Sequence, residues 1–159
     1  MKQNDNMIPL LLTASVDTRG MKGAKFTAWE REKMYVDTLN YYISDFSKRK
    51  DDFTIVFAEN SGWKESSILS KLHKADNVSI EYVALSPEKF DQMKGKSYNE
   101  MLMIDLVTEC NETIRQKGAF FKLTGRFSIL NVYKLLKKVN KPYRGAIKTL
   151  SRLQGSPCI

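Results

Sequence analysis

The chain has 159 residues, 42% hydrophobic and 11% aromatic, which is enough to bury a core without metals or disulfides and argues for a folded globule rather than a disordered chain. Its two cysteines, Cys110 and Cys158, form no disulfide framework, and its one histidine, His73, leaves no Cys/His zinc constellation. The net charge of +8 is concentrated: the segment from Lys134 to Arg152 carries seven basic residues and no acid, leaving +1 for the remainder. Such a segment is either a solvated helix face or an attraction for something anionic, namely a phosphorylated ligand, acidic lipid headgroups or nucleic acid.

In chain order, Met7 to Ala14 (MIPLLLTA) is almost continuously apolar and predicts a buried strand with Pro9 near its start. The segment SVDTRGMKGAK reads as a loop. Thr27 is placed to cap a helix beginning at Ala28, with Glu30 in its first turn, and Val36, Leu39, Ile43 and Phe46 recur at helical spacing. The helix is expected to end near Lys48, Arg49 and Lys50, where cations suit the carbonyl end of the dipole. Phe53 to Ala58 predicts a second strand, Glu59-Asn60-Ser61-Gly62 a polar turn, and Ser66 to Lys74 a short helix. Val78 to Leu85 reads as a third strand and Ser86 to Lys96 as a loop. Asn99 to Gln116 reads as one long amphipathic helix, Ala119 to Leu123 as a fourth strand, and Ile129 to Val139 as a last helix.

This alternation predicts an α/β fold, a mainly parallel sheet with right-handed crossovers and helices on both faces. With no internal repeat or linker in view, residues 1–140 are expected to form one α/β domain, followed by a basic tail over 141–159. No apolar run approaches the roughly 18–20 residues of a membrane span, and the first residues lack the long apolar region of a secretory leader, so a cytosolic chain is expected.

In open parallel sheets ligands lie beyond the carboxyl ends of the strands. Three such ends are polar here: Thr13, Ser15 and Asp17 after strand one, Glu59 and Asn60 after strand two, and Lys122, Thr124, Gly125 and Arg126 after strand four. Glu59 has the chemistry to accept from ribose hydroxyls or a base, or it is a solvated turn residue; Asp17 has the same two readings. Arg126 offers a fork for phosphate or carboxylate oxygens and Lys122 a mobile point charge, the alternative being an ion pair with an acid elsewhere.

Met93-Lys94-Gly95-Lys96-Ser97 contains the second half of a phosphate loop, but the first glycine would fall at Phe90 and no strand precedes it. What remains is a helix entry where Lys94, Gly95 and Lys96 can meet an anion, or an ordinary entry loop. No nucleophile elbow, zinc-protease motif or Cys–His pair is present, and His73 reads as a surface residue.

Val56-Phe57-Ala58-Glu59-Asn60-Ser61-Gly62-Trp63, Lys94-Gly95-Lys96-Ser97-Tyr98-Asn99-Glu100 and Phe121-Lys122-Leu123-Thr124-Gly125-Arg126-Phe127 resemble, in that order, segments of bacterial surface-polysaccharide glycosyltransferases with a GT-A-like fold. The resemblance spans roughly residues 7 to 135; Ser97 and Asn99 stand where glycines are expected. It implies a Rossmann-like nucleotide-sugar-binding half and transfer of a sugar to a hydroxyl of a glycan or lipid-linked acceptor. The strand-one end and the Glu59 turn would hold the nucleoside, the Lys94–Ser97 entry would lie near the donor, and Lys122 and Arg126 would face its phosphates or sugar.

Many GT-A enzymes end the fourth strand in an Asp-x-Asp that binds a divalent metal. Here that place reads Lys-Leu-Thr-Gly-Arg: either basic side chains replace the metal or the strand is not the equivalent one, and no metal ligand is assigned. Relatives are also longer, with an acceptor-binding half after this region, so an incomplete member is a further expectation. The basic segment 134–152 would rest on an anionic inner-membrane face. A non-catalytic nucleotide- or nucleic-acid-binding domain with a basic tail is the rival expectation.

Overall fold

The computed structural model describes residues 7–139. Four strands, β1 (Leu10–Ala14), β2 (Phe53–Glu59), β3 (Val78–Ala84) and β4 (Phe121–Thr124), form one parallel sheet in the order β3-β2-β1-β4. The helices are α1 (Ala28–Phe46), α2 (Glu65–Leu69), α3 (Gly95–Cys110), α4 (Glu112–Lys117) and α5 (Val132–Val139). The fold is α/β and Rossmann-like. The chain divides into two compact units between Ile129 and Leu130, earlier than the 140/141 boundary drawn from charge. Helix α5, with Lys134, Lys137 and Lys138, belongs to the second; Lys141, Arg144, Lys148 and Arg152 lie outside the described residues.

Parallel strands buried on both faces need apolar residues at successive positions, and Leu10, Leu11 and Leu12 are all buried. The strand starts only at Leu10 because Pro9 has no N–H; its carbonyl still accepts from the Phe121 amide at 2.8 Å. Register places Leu12, Phe57, Tyr82 and Leu123 in one row on the α1 face. There Tyr35 meets Phe57 edge-on at 5.6 Å, and Phe46 stacks on Phe53 at 4.2 Å. On the other face Leu11, Val56 and Ala58 pack with Leu85 and with Met103, Val107 and Ile114 of α3 and α4.

Thr27 caps α1 as expected. Its hydroxyl accepts from the Glu30 amide at 3.3 Å, while Glu30 accepts from the Thr27 amide at 2.8 Å, a complete capping box. The helix stops at Phe46, before the basic cluster. α2 is shorter than expected: Lys71 and Leu72 continue only in tight i→i−3 bonds, and the His73 amide is taken by Asn40 at 2.8 Å.

The long third helix begins earlier than the sequence pattern indicates and is broken. Asn111 turns extended; its side-chain oxygen caps α4 at the Ile114 amide (2.9 Å), and its amide nitrogen donates to Glu81 of β3 (2.7 Å). Thr113 donates to the other Glu81 oxygen at 2.6 Å. An apolar period continues across such a break because Val107 and Ile114 serve the same core.

Glu32 is buried on α1 among Lys71, Ser67 and the Trp63 indole. Burial opposes its ionisation, but the hydrogen bonds from Lys71, Ser67 and Trp63 outweigh it and hold the carboxyl below its usual range. A lowered carboxyl stabilises the fold fully above its unfolded pKa and loses that contribution as pH falls through the folded value. Glu32→Gln is therefore expected to lower stability by about 1–2 kcal/mol at pH 7, discounted because Lys71 is half exposed. The difference from wild type should shrink as denaturation curves are repeated below the ordinary carboxylate range.

Candidate functional site

The strand order reverses at β1, which has β2 on one side and β4 on the other. At the carboxyl ends of these strands lies a cleft of about 630 Å³. Strand exits supply Thr13, Ser15, Asp17, Asn60, Thr124 and Arg126; α1 contributes Arg31 and Tyr35, and the first turns of α3 contribute Lys96, Asn99 and Glu100. The crevice at a strand-order reversal is where open α/β sheets bind ligands.

The β1 and β2 exits are fastened by Glu59, only 1% exposed. Its carboxylate accepts from the amides of Val16 (3.1 Å), Ser61 (2.9 Å) and Trp63 (3.0 Å), and from the Ser61 hydroxyl. Outside this knot the Ser15 hydroxyl donates to Asn60 at 2.6 Å, and the Asp17 amide donates to the Ser61 hydroxyl at 2.9 Å. Glu59 is thus neither a solvated turn residue nor a cleft group. Gly62 closes the turn at φ +77°, and a side chain there would meet Pro87 at 3.2 Å.

Arg31, buried on α1, donates to the Ser15 carbonyl at 2.7 Å and to the Tyr35 hydroxyl at 3.4 Å. The same hydroxyl accepts from the Ser15 amide at 3.0 Å. Burial raises the Tyr35 phenol above its ordinary value against the opposing hydrogen bond from Ser15 and the positive charges of Arg31 and Arg126, so it stays a neutral anchor. Gly125 follows β4 because there is no room for more: a Cβ would sit 3.0 Å from the Thr13 carbonyl and 3.0 Å from the Tyr35 ring. This close passage carries Arg126 to the cleft, where its guanidinium also lies 5.5 Å over Phe127. Among the described residues no carboxylate pairs with Arg31, Lys96 or Arg126.

The structure brings Thr13, Ser15, Asp17, Asn60, Lys96, Thr124 and Arg126 together in the cleft. Glu59, Lys94, Gly95 and Lys122 are not among its lining. Lys94 lies 4.7 Å over the Tyr98 ring, and Gly95, at φ +84°, opens α3. Lys122 lies on the α3 face of β4 and pairs with Glu100, the acid left open by the ion-pair reading. Arg31, Tyr35 and Glu100 were not singled out as site residues. Arg31 and Tyr35 stand one helical turn apart on the helix that follows the polar β1 exit, a spacing that could have signalled them; Tyr35 instead reads as core.

A GT-A-type metal does not fit the donor set. No Asp-x-Asp follows β4, and no group of three His, Cys, Asp or Glu side chains suits a cation among the described residues. The two acids of the cleft are engaged, Asp17 by the Arg19 amide at 2.8 Å and Glu100 by Thr13 and Lys122. No helix among the described residues is long and apolar enough to cross a membrane. Comparison of the chain with protein-family models, with curated proteins and with solved structures finds no match.

Three substitutions test this arrangement. Glu59→Gln should cost about 2–3 kcal/mol by unpairing buried donors, whereas Asp17→Asn, on the exposed side of the knot, should stay within about 0.5 kcal/mol, both read from urea denaturation. Gly125→Ala should cost about 1–3 kcal/mol through crowding against Tyr35 and the Thr13 carbonyl. Equal midpoints for Gly125→Ala and wild type would sink that account.

Proposed function

We propose that the cleft binds a nucleotide-diphospho-sugar and that the chain is a glycosyltransferase, or the donor-binding part of one, acting on a glycan or lipid-linked hydroxyl. The observation that carries this is the set of cations without a carboxylate partner, Arg31, Lys96 and Arg126, around a cleft at the strand-order reversal. Ligand-sized pockets run from about 300 to 1,000 Å³, and the volume of this one falls within that range. An arginine fork and a lysine are the donors a diphosphate takes up, and the helix entry of α3 adds its positive dipole end.

Transfer requires departure of a nucleoside phosphate, which builds negative charge on the leaving oxygens. Cations held in place before the reaction stabilise that charge without reorganising. Arg126 is placed by Gly125, Arg31 by Ser15 and Tyr35, so both are set by the fold rather than by the ligand. Lys122, spent on Glu100, takes no part in holding phosphate. The basic segment 134–152 would attract the protein to an anionic inner-membrane surface from the cytoplasm.

A thermal-shift screen against UDP-, GDP- and CMP-sugars, with and without manganese, tests the reading. A true donor at a hundred times its Kd should stabilise by about 2.7 kcal/mol and raise the melting point by several degrees. Arg126→Ala should weaken that donor at least tenfold at unchanged stability. No shift of the wild-type protein with any donor would overturn the reading.

A further inference from the structure

Glu100 is one of two acids in a cleft rich in cations, and the one that pairs with a lysine of β4. Its side chain is 43% exposed, while that of its partner Lys122 is only 13% exposed, so the pair leans from the sheet towards the opening. Both anchors take the same oxygen: Thr13 donates its hydroxyl to Oε1 at 3.1 Å, and Lys122 donates to Oε1 as well. Oε2 has no donor among the described residues. One residue earlier, Asn99 donates its amide to the Asp91 carbonyl at 2.8 Å, which leaves Oδ1 buried with no donor among the described residues.

A carboxylate oxygen open to the cleft calls for a donor, which an ionised phosphate cannot supply, because it offers only further acceptors and negative charge. A hydroxyl can. The cleft therefore has two chemistries side by side: donors on Arg31, Lys96 and Arg126, and a half-exposed carboxylate, Glu100, at the start of α3. We propose that Glu100, fixed by Lys122 and Thr13, reads a hydroxyl of a sugar whose phosphate lies on the cations, so that the site selects sugar phosphates over bare phosphates. The proposal rests on the nucleotide-sugar reading for the ligand's identity, but its own content is the preference for the sugar. Lys122 balances the carboxylate, so that an acid can face a phosphorylated ligand without repelling it outright.

The test is calorimetric titration of the full chain with matched probes: UDP against UDP-glucose, GDP against GDP-mannose, and inorganic phosphate against glucose 1-phosphate and mannose 1-phosphate. Wild type should prefer the sugar-bearing member of at least one pair. Glu100→Gln should reduce that preference roughly tenfold, the scale of a hydrogen bond to a charged group, and leave the sugar-free member within about twofold. Because a lone substitution leaves Lys122 unpaired, the double variant Glu100→Gln/Lys122→Met is measured alongside and should show the same lost preference. A preference for UDP-glucose over UDP that depends on Glu100 would place the hydroxyl on the transferred sugar. Should 2′-deoxy-UDP bind more weakly than UDP and Glu100→Gln remove that difference, Glu100 reads the ribose that both members share, and the preference for the sugar is overturned.

Equal weakening of both members of every pair by either variant, or no change in any, overturns the proposal while leaving the nucleotide-sugar reading standing. Binding of glucose 1-phosphate with dependence on Glu100, but of no nucleotide, supports the proposal and removes the nucleotide. Binding of none of the probes by wild type removes both.

Discussion

The cleft depends on one buried carboxylate. Glu59 collects backbone amides from two different loops, Val16 from the β1 exit and Ser61 and Trp63 from the β2 exit. Loops at a sheet rim leave several N–H groups without ladder partners, and a buried unpaired amide is expensive. A carboxylate offers about four acceptor sites in one place, which is why an acid, rather than an amide or hydroxyl, stands at the last position of β2. With the two exits fastened, Ser15, Asp17 and Asn60 have fixed positions in the cleft wall.

The opposite wall is positioned by contact rather than by charge. Tyr35 presses its ring against the space a Gly125 side chain would fill, and its hydroxyl receives Ser15 and Arg31. One phenol thereby sets the distance between α1, the β1 exit and the β4 exit. Arg31 is buried and donates inward to a backbone carbonyl, while Arg126 comes off a turn that cannot widen. Two cations arriving by unrelated routes at one cleft is what supports reading it as a site for an anion.

Much of the architecture was legible because it rests on patterns with local causes. The leucine run of β1, the Thr27–Glu30 capping box and the polar strand exits each follow from neighbouring residues, and parallel topology follows from their alternation. The roles of Glu59 and Lys122 were not legible, since each depends on partners far away in sequence. Whether an acid at a strand end faces water or gathers buried amides is decided by the adjacent loop, and no spacing in the chain reveals it. The break at Asn111 was hidden for a related reason: the apolar period runs through it, and the cause is Glu81 on β3. From the sequence Lys122 reads as a candidate for phosphate, and Glu100 of α3 answers it instead.

That break also settles a matter of length. A straight helix from Gly95 to Lys117 would run about 34 Å, whereas a seven-residue strand such as β3 covers only about 23 Å. An unbroken rod would overshoot the far border of the sheet and leave the chain stranded beyond the point where β4 must begin. By turning at Asn111 the polypeptide shortens its return journey, and Gly118, in left-handed conformation at φ +62°, completes the reversal. The near end of α3 can then stand at the mouth of the cleft while its far end still delivers β4 in register with β1.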